Sequence, residues 1–226
     1  TSKKVTHRGE GVALMRDEEH AARLVSTLVH AVDIPVTVKL RLGPSPSLMN
    51  FLSLSQRLQK AGVAAITIHG RTGDHKSSPT VSQTCVQEAV EALDVPVVAN
   101  GGISSGEIAS AVLRQTGGAA VMPGRYLIGN PWLVGEIHSA IHGSPYQPPS
   151  FEERKEVCRR HFELLTGCYG RYGAAIRMRG IFTHYFPFIR NRAAFNRDAH
   201  LMGYAEFERL LQTLDDSPWV SPRDII

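Results

Sequence analysis

The sequence of 226 residues has no long apolar run, few cysteines and no metal-binding CxxC motif. A helix that crosses a membrane needs about 18 or more consecutive apolar residues, and no stretch approaches that length. The three cysteines, Cys85, Cys158 and Cys168, are an odd number, which disfavours a disulfide framework. Few cysteines without a pairing pattern are typical of a reducing compartment, so we expect a cytoplasmic protein with no membrane span and no bound metal.

Composition and charge indicate a globular protein with room for a sizeable core. Hydrophobic residues make up 42% of the chain and charged residues 20%, which suits one large domain or a medium and a small one. The formal net charge is +4 and the isoelectric point is near 9.1. This excess of positive charge mildly favours a polyanionic partner, although many enzymes are equally basic.

Four stretches rich in β-forming residues recur along the first part of the chain. They begin at residues 35, 64, 96 and 119, and segments with helical periodicity separate them. Their spacing fits a strand, a crossover helix and two loops. Repeated βα units of this kind predict parallel strands.

The faces of the first strand distinguish between two parallel-sheet architectures. In "VTVKLRL", residues 36–42, apolar side chains occupy one face and Thr37, Lys39 and Arg41 the other. An open doubly wound sheet would bury this polar face, at a cost of several kcal/mol for an unpaired charge. A barrel directs it into the lumen, so we predict an α/β fold that is the C-terminal half of a TIM (β/α)8 barrel.

A proline-rich stretch, "GSPYQPPS" at residues 143–150, indicates a boundary between two domains. Beyond it, Ser150 and Glu153 fit a capping box that opens a helix, and helical patterns continue towards Ile226. We therefore predict a half barrel at residues 1–142, a linker at 143–150 and an all-α domain at 151–226.

Two glycine-containing motifs follow consecutive predicted strands: "NGGI" from Asn100, and the pair Gly124 and Arg125. Glycines allow backbone N–H groups to approach a phosphate closely, and an arginine adds charge-assisted hydrogen bonds. Each motif alone is equally compatible with a simple strand end. Together they favour a phosphate site, which in TIM barrels often lies after the seventh and eighth strands.

Lys39, His69 and Arg71 all lie near strand ends, on the side predicted to form the mouth of the barrel. A lysine that points inward from a strand needs an anionic partner. An ammonium group and an imidazole suit an electron-rich ring that becomes anionic on reduction, as a flavin does. A lone histidine is more often structural, so Lys39 is the stronger candidate.

The helical region contains an arginine-rich stretch, residues 171–197, with six arginines and no acidic residue. Guanidinium groups neutralise phosphates, and aromatic rings can stack on unpaired bases. For the arginines we predict RNA binding, with Arg177 and Arg179 as contacts and Arg71 of the first domain as a third. For the aromatics we prefer a small helical core. The interleaved aromatics are Tyr172, Phe182, Tyr185, Phe186, Phe188 and Phe195.

Four motifs carry a family resemblance: "VTVKLRLG", "AGVAAITIHGRT", "VPVVANGG" and "VMPGRYLIGNPW", in this order and spacing. From about residue 1 to about residue 132 the chain resembles the C-terminal portion of the flavin-dependent tRNA-dihydrouridine synthases. The resemblance implies FMN as cofactor, NADPH as reductant, and reduction of a tRNA uridine to 5,6-dihydrouridine. The implied FMN-binding residues are Lys39, His69, Asn100, Gly101, Gly102, Gly124 and Arg125.

The resemblance also implies a catalytic cysteine, and counting along the family pattern places it immediately before Thr1. We therefore expect this chain alone to be inactive. Two features depart from patterns common in the family. The segment "HKSSPTVSQTCVQEA", residues 75–89, looks closer to the eukaryotic branch that acts on the D-loop. Pro123 removes one N–H beside the phosphate loop.

Two other interpretations stay open at this point. FMN barrels of the dihydroorotate dehydrogenase type share an inward lysine and a glycine-rich phosphate site but act on small molecules. The arginine-rich stretch at 171–197 argues against them, and gel retardation by tRNA would separate the two. Alternatively, the chain is a tRNA-binding remnant without activity, which a lack of yellow chromophore together with RNA affinity would support.

Overall fold

Four short strands form one parallel sheet in the first part of the chain. The computed structural model describes residues 2–74 and 80–215. Its strands lie in the order β1-β2-β3-β4, each parallel to its neighbour. Residues 75–79 of the segment compared with eukaryotic members lie outside the described residues. The strands are β1 (Thr37–Arg41), β2 (Ala65–His69), β3 (Val97–Asn100) and β4 (Ala120–Met122).

A helix follows each strand, as the βα repeat predicts. Ser82 and Ser105 accept hydrogen bonds from backbone N–H groups of the helices that follow β2 and β3, which fixes where these helices begin. Before β1 lie α1 (Lys3–Thr6), a 3-10 helix (Gly11–Arg16) and α2 (Glu18–Ala31). The later helices are α3 (Phe51–Lys60), α4 (Gln83–Ala92), α5 (Gly106–Thr116), a 3-10 helix (Arg125–Leu127) and α6 (Leu133–His142).

The two faces of the sheet differ in burial as the strand pattern predicts. Ile66, Ile68 and Ala99 are completely buried beneath the helices. On the opposite face, Thr37 and Lys39 of β1 are exposed. One apolar, helix-covered face and one polar face are the arrangement of part of a TIM barrel, so the predicted fold class is confirmed.

The second part of the chain is helical. It comprises α7 (Phe151–Met178), α8 (Phe182–Tyr185), α9 (Arg192–Ala199) and α10 (Tyr204–Thr213). The predicted capping box opens α7: Ser150 Oγ accepts from the Glu153 N–H at 3.2 Å, and Glu153 Oε2 accepts from the Ser150 N–H at 2.7 Å. At the core, the ring of Phe182 lies 5.0–5.7 Å, centroid to centroid, from three other phenylalanine rings. These are Phe186, Phe195 and Phe207.

One division between the two compact units falls inside the proline-rich stretch, between Ser144 and Pro145, but a second segment also belongs with the helices. The first unit comprises Thr1–Gly124 and Ile137–Ser144, and the second comprises Arg125–Glu136 and Pro145–Ile226. Residues 125–136, predicted to belong to the half barrel, therefore group with the helices. Trp132 accounts for this difference, because its ring packs edge-on against Tyr185 at 6.4 Å and beneath the Arg154 guanidinium at 4.9 Å.

Residues 2–74 and 80–215 were searched for membrane-spanning helices and for metal-binding groups. None of their helices combines the length and the apolar character that crossing a membrane requires. Nor do these residues contain a group of three or more histidine, cysteine, aspartate or glutamate side chains placed to hold a metal ion.

Candidate functional site

The carboxyl ends of the strands bring polar side chains into one row. The register pairs Arg41 of β1 with His69 of β2, His69 with Asn100 of β3, and Asn100 with Met122 of β4. Residues paired in this way point to the same face, and Lys39 lies on that face two residues earlier in β1. The Asn100 side chain donates from Nδ2 to the Met122 carbonyl at 2.6 Å, which holds the end of β4 against β3.

Three cations, Lys39, Arg41 and Arg71, gather at this edge, and none forms an ion pair within the described part of the chain. Arg41 donates from Nη1 to the Thr72 carbonyl at 3.0 Å, while the buried Nε of Arg71 has no hydrogen-bond partner among residues 2–74 and 80–215.

The electrostatics of these cations indicate mutual repulsion. Partial burial of the ammonium group, and then the charge of Arg41, lower the pKa of Lys39, even though the residue as a whole is exposed. Partial burial and the charge of Arg71 lower the pKa of Arg41. An anionic ligand at this edge would relieve the repulsion by pairing with the cations.

The loop after β3 requires glycine at two positions. Gly101 has a φ of +120° and Gly102 a φ of +72°, which L side chains rarely adopt. A Cβ on Gly101 would lie 2.8 Å from Cδ2 and 3.1 Å from Nε2 of His69. Because Gly101 has no Cβ, the loop packs directly on the imidazole and holds it in place.

Gly124, two residues after the end of β4, has different surroundings. A Cβ added there would meet no atom within 4 Å. Open space beside a glycine backbone leaves room for a ligand, as a phosphate loop requires. Pro123 contributes no N–H to such a loop, so at this end of the first unit the N–H must come from Gly124.

The structure brings most of the predicted cofactor residues to one edge of the sheet. Gly124 follows β4 at this edge, whereas Arg125 belongs to the second unit, so its place in the site stays a prediction. Arg71, which the sequence analysis assigns to RNA binding, acts electrostatically on Arg41 here. The remaining predicted cofactor residues at this edge are Lys39, His69, Asn100, Gly101 and Gly102.

Arg41 lies at the candidate site, and the sequence analysis did not select it. The strand pattern places it on the polar face with Lys39, but only Lys39 is selected as a ligand there. The last polar residue of a parallel strand lies nearest the carboxyl edge, where ligands bind. The place of Arg41 at the end of β1 was therefore enough to predict it as a candidate ligand-binding residue. In the structure it pairs in register with His69.

The two predicted RNA contacts of the second unit have different surroundings. Arg177 is exposed, and its guanidinium carbon lies 3.7 Å from the centroid of the Tyr169 ring. Arg179 is half-buried and donates from Nε to the Met202 carbonyl at 2.9 Å. Arg177 thus presents its charge to solvent, whereas Arg179 uses part of its guanidinium to hold the helical unit together.

The aromatic residues of the stretch 171–197 divide into two groups. The core interpretation is correct for four of them and wrong for Tyr172 and Phe188, which are 80% and 73% exposed. Phe188 contacts Arg154, whose guanidinium carbon lies 5.2 Å from its ring centroid. The buried group consists of Phe182, Tyr185, Phe186 and Phe195.

Comparison with known proteins identifies the family of this chain. Residues 2–216 match the family described as Dihydrouridine synthase (Dus). The chain belongs to the dihydrouridine synthase family. The predicted resemblance is confirmed, and neither a dihydroorotate dehydrogenase-like enzyme nor an inactive remnant is favoured.

Curated relatives carry names from the dihydrouridine synthase family. The "tRNA-dihydrouridine synthase B" of Xanthomonas campestris pv. campestris is 40% identical over 171 residues, which cover 75% of this chain and 52% of the relative. A "Probable tRNA-dihydrouridine synthase" of Rhodobacter capsulatus is 39% identical over 171 residues, covering 75% and 53%. One of the same name from Rickettsia conorii is 33% identical over 202 residues, covering 89% and 61%. The chain spans about half the length of the first two relatives.

Proposed function

We propose that this chain is part of a flavin-dependent tRNA-dihydrouridine synthase, which reduces the C5=C6 bond of a tRNA uridine to give 5,6-dihydrouridine. The observation that carries the proposal is the cluster of Lys39, Arg41 and Arg71 beside His69, in a chain of this family. Cations without carboxylate partners, next to a glycine loop at strand ends, suit an anionic cofactor.

FMN is the proposed cofactor and NADPH its proposed reductant. The Nε of Arg71 has no partner in the part of the chain that the structure describes, and the charges of Lys39 and Arg41 repel each other; both features suit a ligand with negative charge. The open backbone at Gly124 leaves room for a phosphate. When bound, FMN supplies hydride transfer, a chemistry that protein side chains lack. The residues proposed to hold it are Lys39, His69, Asn100, Gly101, Gly102, Gly124 and Arg125.

In this proposal the residues of the chain bind and orient the reactants. Lys39 and Arg41 stabilise negative charge at the strand ends, because a preorganised cation lowers the energy of an anion that develops beside it. His69 presents an imidazole that the loop at Gly101 holds by direct contact. Asn100 keeps β3 and β4 together through its bond to the Met122 carbonyl.

The proton that completes uridine reduction needs a donor, and the family resemblance assigns this role to a cysteine. Cys158 is completely buried in the second unit, and burial raises the pKa of its thiol, so no substrate reaches it. Cys168 is exposed but also belongs to the second unit, and Cys85 lies on α4 in the helix layer. We propose that none of the three donates the proton and that this chain alone forms no dihydrouridine.

The proposed substrate is tRNA, contacted by Arg177 of the second unit and by Arg71 of the first. Arg179 contributes only the N–H groups that its bond to Met202 leaves available. A cytoplasmic location is part of the proposal, because all three cysteines are free thiols.

The test uses the protein expressed from its full reading frame in cells whose tRNA lacks dihydrouridine. Mass spectrometry of the tRNA nucleosides should then detect dihydrouridine, and Lys39→Met should abolish it. Arg57→Met is the matched control, because Arg57 pairs with Glu18 at 3.2 Å in the helix layer, away from the strand ends. If the tRNA from cells that express the unaltered protein still lacks dihydrouridine, the proposal is refuted.

A further inference from the structure

Residues 125–136 form a hydrogen-bonded run that begins at a predicted phosphate ligand. The Arg125 carbonyl accepts from the Ile128 N–H at 3.2 Å, and the Leu127 carbonyl accepts from the Asn130 N–H at 3.1 Å. Hydrogen-bonded turns in succession are stiff, so a displacement of the later residues is passed back to the first. Whatever fixes the middle of this run therefore also fixes Arg125.

Gly129 is the first point at which the run is fixed to the helical unit. It is buried and has a φ of +65°. A Cβ added there would lie 2.6 Å from the Cβ of His184 and 2.8 Å from the backbone nitrogen of Tyr185, closer than real Cβ atoms approach. The backbone of the run therefore lies directly on α8, and only glycine allows this contact.

Trp132 is the second point, and Arg154 joins it to α8. The Arg154 guanidinium carbon lies 4.9 Å from the centroid of the Trp132 ring and 5.2 Å from that of Phe188. Its Nη1 donates to the Tyr185 carbonyl at 3.4 Å. A planar guanidinium stacks on rings and donates from its edge at the same time, which a lysine ammonium cannot do.

The arginine at position 154 is costly for folding. Its side chain is buried and forms no ion pair in the described part of the chain. Its Nε has no hydrogen-bond partner among the described residues, and burial lowers the pKa of the guanidinium. A buried cation without a carboxylate adds little to stability. The geometry that it imposes on Trp132 gives this arginine a purpose.

The residue held by these contacts is available to an anion. The Arg125 side chain is exposed and forms no ion pair within residues 2–74 and 80–215. An arginine binds a phosphate through two donors in a fixed geometry, so its affinity depends on where its backbone is held.

We propose that Gly129, Trp132 and Arg154 are positioning residues of the cofactor site, which hold Arg125 where it meets the phosphate of FMN. The inference rests on the proposed function, which supplies FMN and gives Arg125 its role. It adds that the helical unit serves cofactor binding, a role separate from any contact with tRNA.

The first test compares FMN with riboflavin, which lacks the phosphate. Quenching of flavin fluorescence measures the binding of both to the protein expressed from its full reading frame and freed of flavin. Arg125→Met should weaken FMN binding by about 10- to 100-fold, the range for a hydrogen bond to a charged group. Arg154→Met should weaken FMN binding by about 10-fold and change riboflavin binding by less than about 2-fold. Equal losses for the two flavins would show general damage and refute a positioning role.

Two control variants separate geometry from charge. Arg159→Met removes the same charge from the same helix, but that guanidinium is exposed and paired with Glu156 and Glu163, so FMN binding should not change. Arg154→Lys keeps the charge and loses the planar fork. We expect it to resemble Arg154→Met. If Arg154→Lys instead binds FMN like the unaltered protein, only the charge matters and the inference is wrong.

The second test leaves every charge in place. Gly129→Ala should weaken FMN binding more than riboflavin binding, because the new Cβ pushes the run away from α8. Gly135→Ala is the matched control in the same run, since its Cβ would meet a ring carbon of Tyr146 at an ordinary 3.7 Å. Residues that act through Arg125 should lose their effect when it is absent. Arg154→Met added to Arg125→Met should therefore weaken FMN binding no further, and additive losses would contradict the inference.

The outcomes separate this inference from the proposed function. If the unaltered protein binds FMN and forms dihydrouridine, but Arg154→Met and Gly129→Ala bind FMN like their controls, only the inference is refuted. If the unaltered protein binds riboflavin as tightly as FMN, the phosphate contributes nothing and the inference is again refuted. If it binds neither flavin, the proposed cofactor is wrong and the inference fails with it.

Discussion

Replacing Gly101 with alanine tests whether the glycine loop packs on His69 as the structure has it. A φ of +120° is a conformation in which a non-glycine residue costs about 1–3 kcal/mol. The new Cβ would also lie 2.8 Å from His69 Cδ2, so the imidazole must leave its position. Moving a side chain off its preferred rotamer costs about 0.5–1.5 kcal/mol. Together these effects should lower the free energy of unfolding of the first unit by about 2–4 kcal/mol.

Two neighbouring glycines provide graded controls. Gly102→Ala should cost about 1–2 kcal/mol, because its φ of +72° is left-handed but its Cβ would meet Val81 at an ordinary 3.7 Å. Gly124→Ala should stay within about 0.5 kcal/mol, since its Cβ would meet no atom within 4 Å. The predicted order of destabilisation is therefore Gly101, then Gly102, then Gly124.

The assay is urea unfolding followed by far-ultraviolet circular dichroism. Hydrogen exchange at the amides of β2 and β3 assigns the change to the first unit. FMN affinity should follow a different order. Gly124→Ala is expected to weaken FMN binding by the full protein while sparing stability, because the added methyl group occupies the space proposed for phosphate. If Gly101→Ala unfolds at the same urea concentration as Gly124→Ala, the geometry derived for the loop is wrong.

Two further predictions concern charge and packing. The folded pKa of Lys39 lies below the 10.5 of a free lysine, so between these values the unfolded chain binds more protons and the free energy of unfolding rises with pH. Urea midpoints measured across this pH range should rise with pH in the unaltered chain and not in Lys39→Met. If the midpoints of both proteins change with pH in the same way, the lowered pKa of Lys39 is contradicted. Phe182→Ala should destabilise the helical unit by about 3–5 kcal/mol, because its ring is completely buried among other rings. Phe188→Ala, at a side chain 73% exposed, should cost below about 1 kcal/mol, and equal urea midpoints would rule out this packing.

The fold of the first unit follows from local patterns that sequence shows directly. Alternation along β1 assigns Leu40 to the buried face and Lys39 to the polar face without knowledge of any neighbour. The grouping of residues 125–136 with the second unit does not follow in this way. It depends on Trp132 packing against Tyr185, more than fifty residues later, and no periodicity reports such a contact.

The candidate site was predictable because it depends on strand ends, whereas the course of the second unit was not. His69 and Asn100 each end a strand, so their adjacency follows from a parallel sheet. Helix α7 is broken at Gly170. The sequence does not reveal this break, because a single glycine within a helical pattern is usually tolerated in a helix. The exposure of Tyr172 and the bond from Arg179 to the Met202 carbonyl both depend on the tertiary course of the chain after it.

The charges of the cations at the strand ends oppose folding when no ligand is bound. Partial burial and the charge of Arg41 disfavour the charged state of Lys39, and partial burial and the charge of Arg71 disfavour that of Arg41. The Nε of Arg71 is buried without a hydrogen-bond partner among the described residues, so each feature destabilises the ligand-free chain. Natural proteins retain such costs mainly at functional sites. A ligand that neutralises the cluster must therefore stabilise the chain more than the same ligand bound at a site without excess charge. Sulfate or pyrophosphate, as simple anions, should therefore raise the unfolding temperature of the unaltered protein more than that of Lys39→Met, and equal shifts would show that the cluster binds no anion.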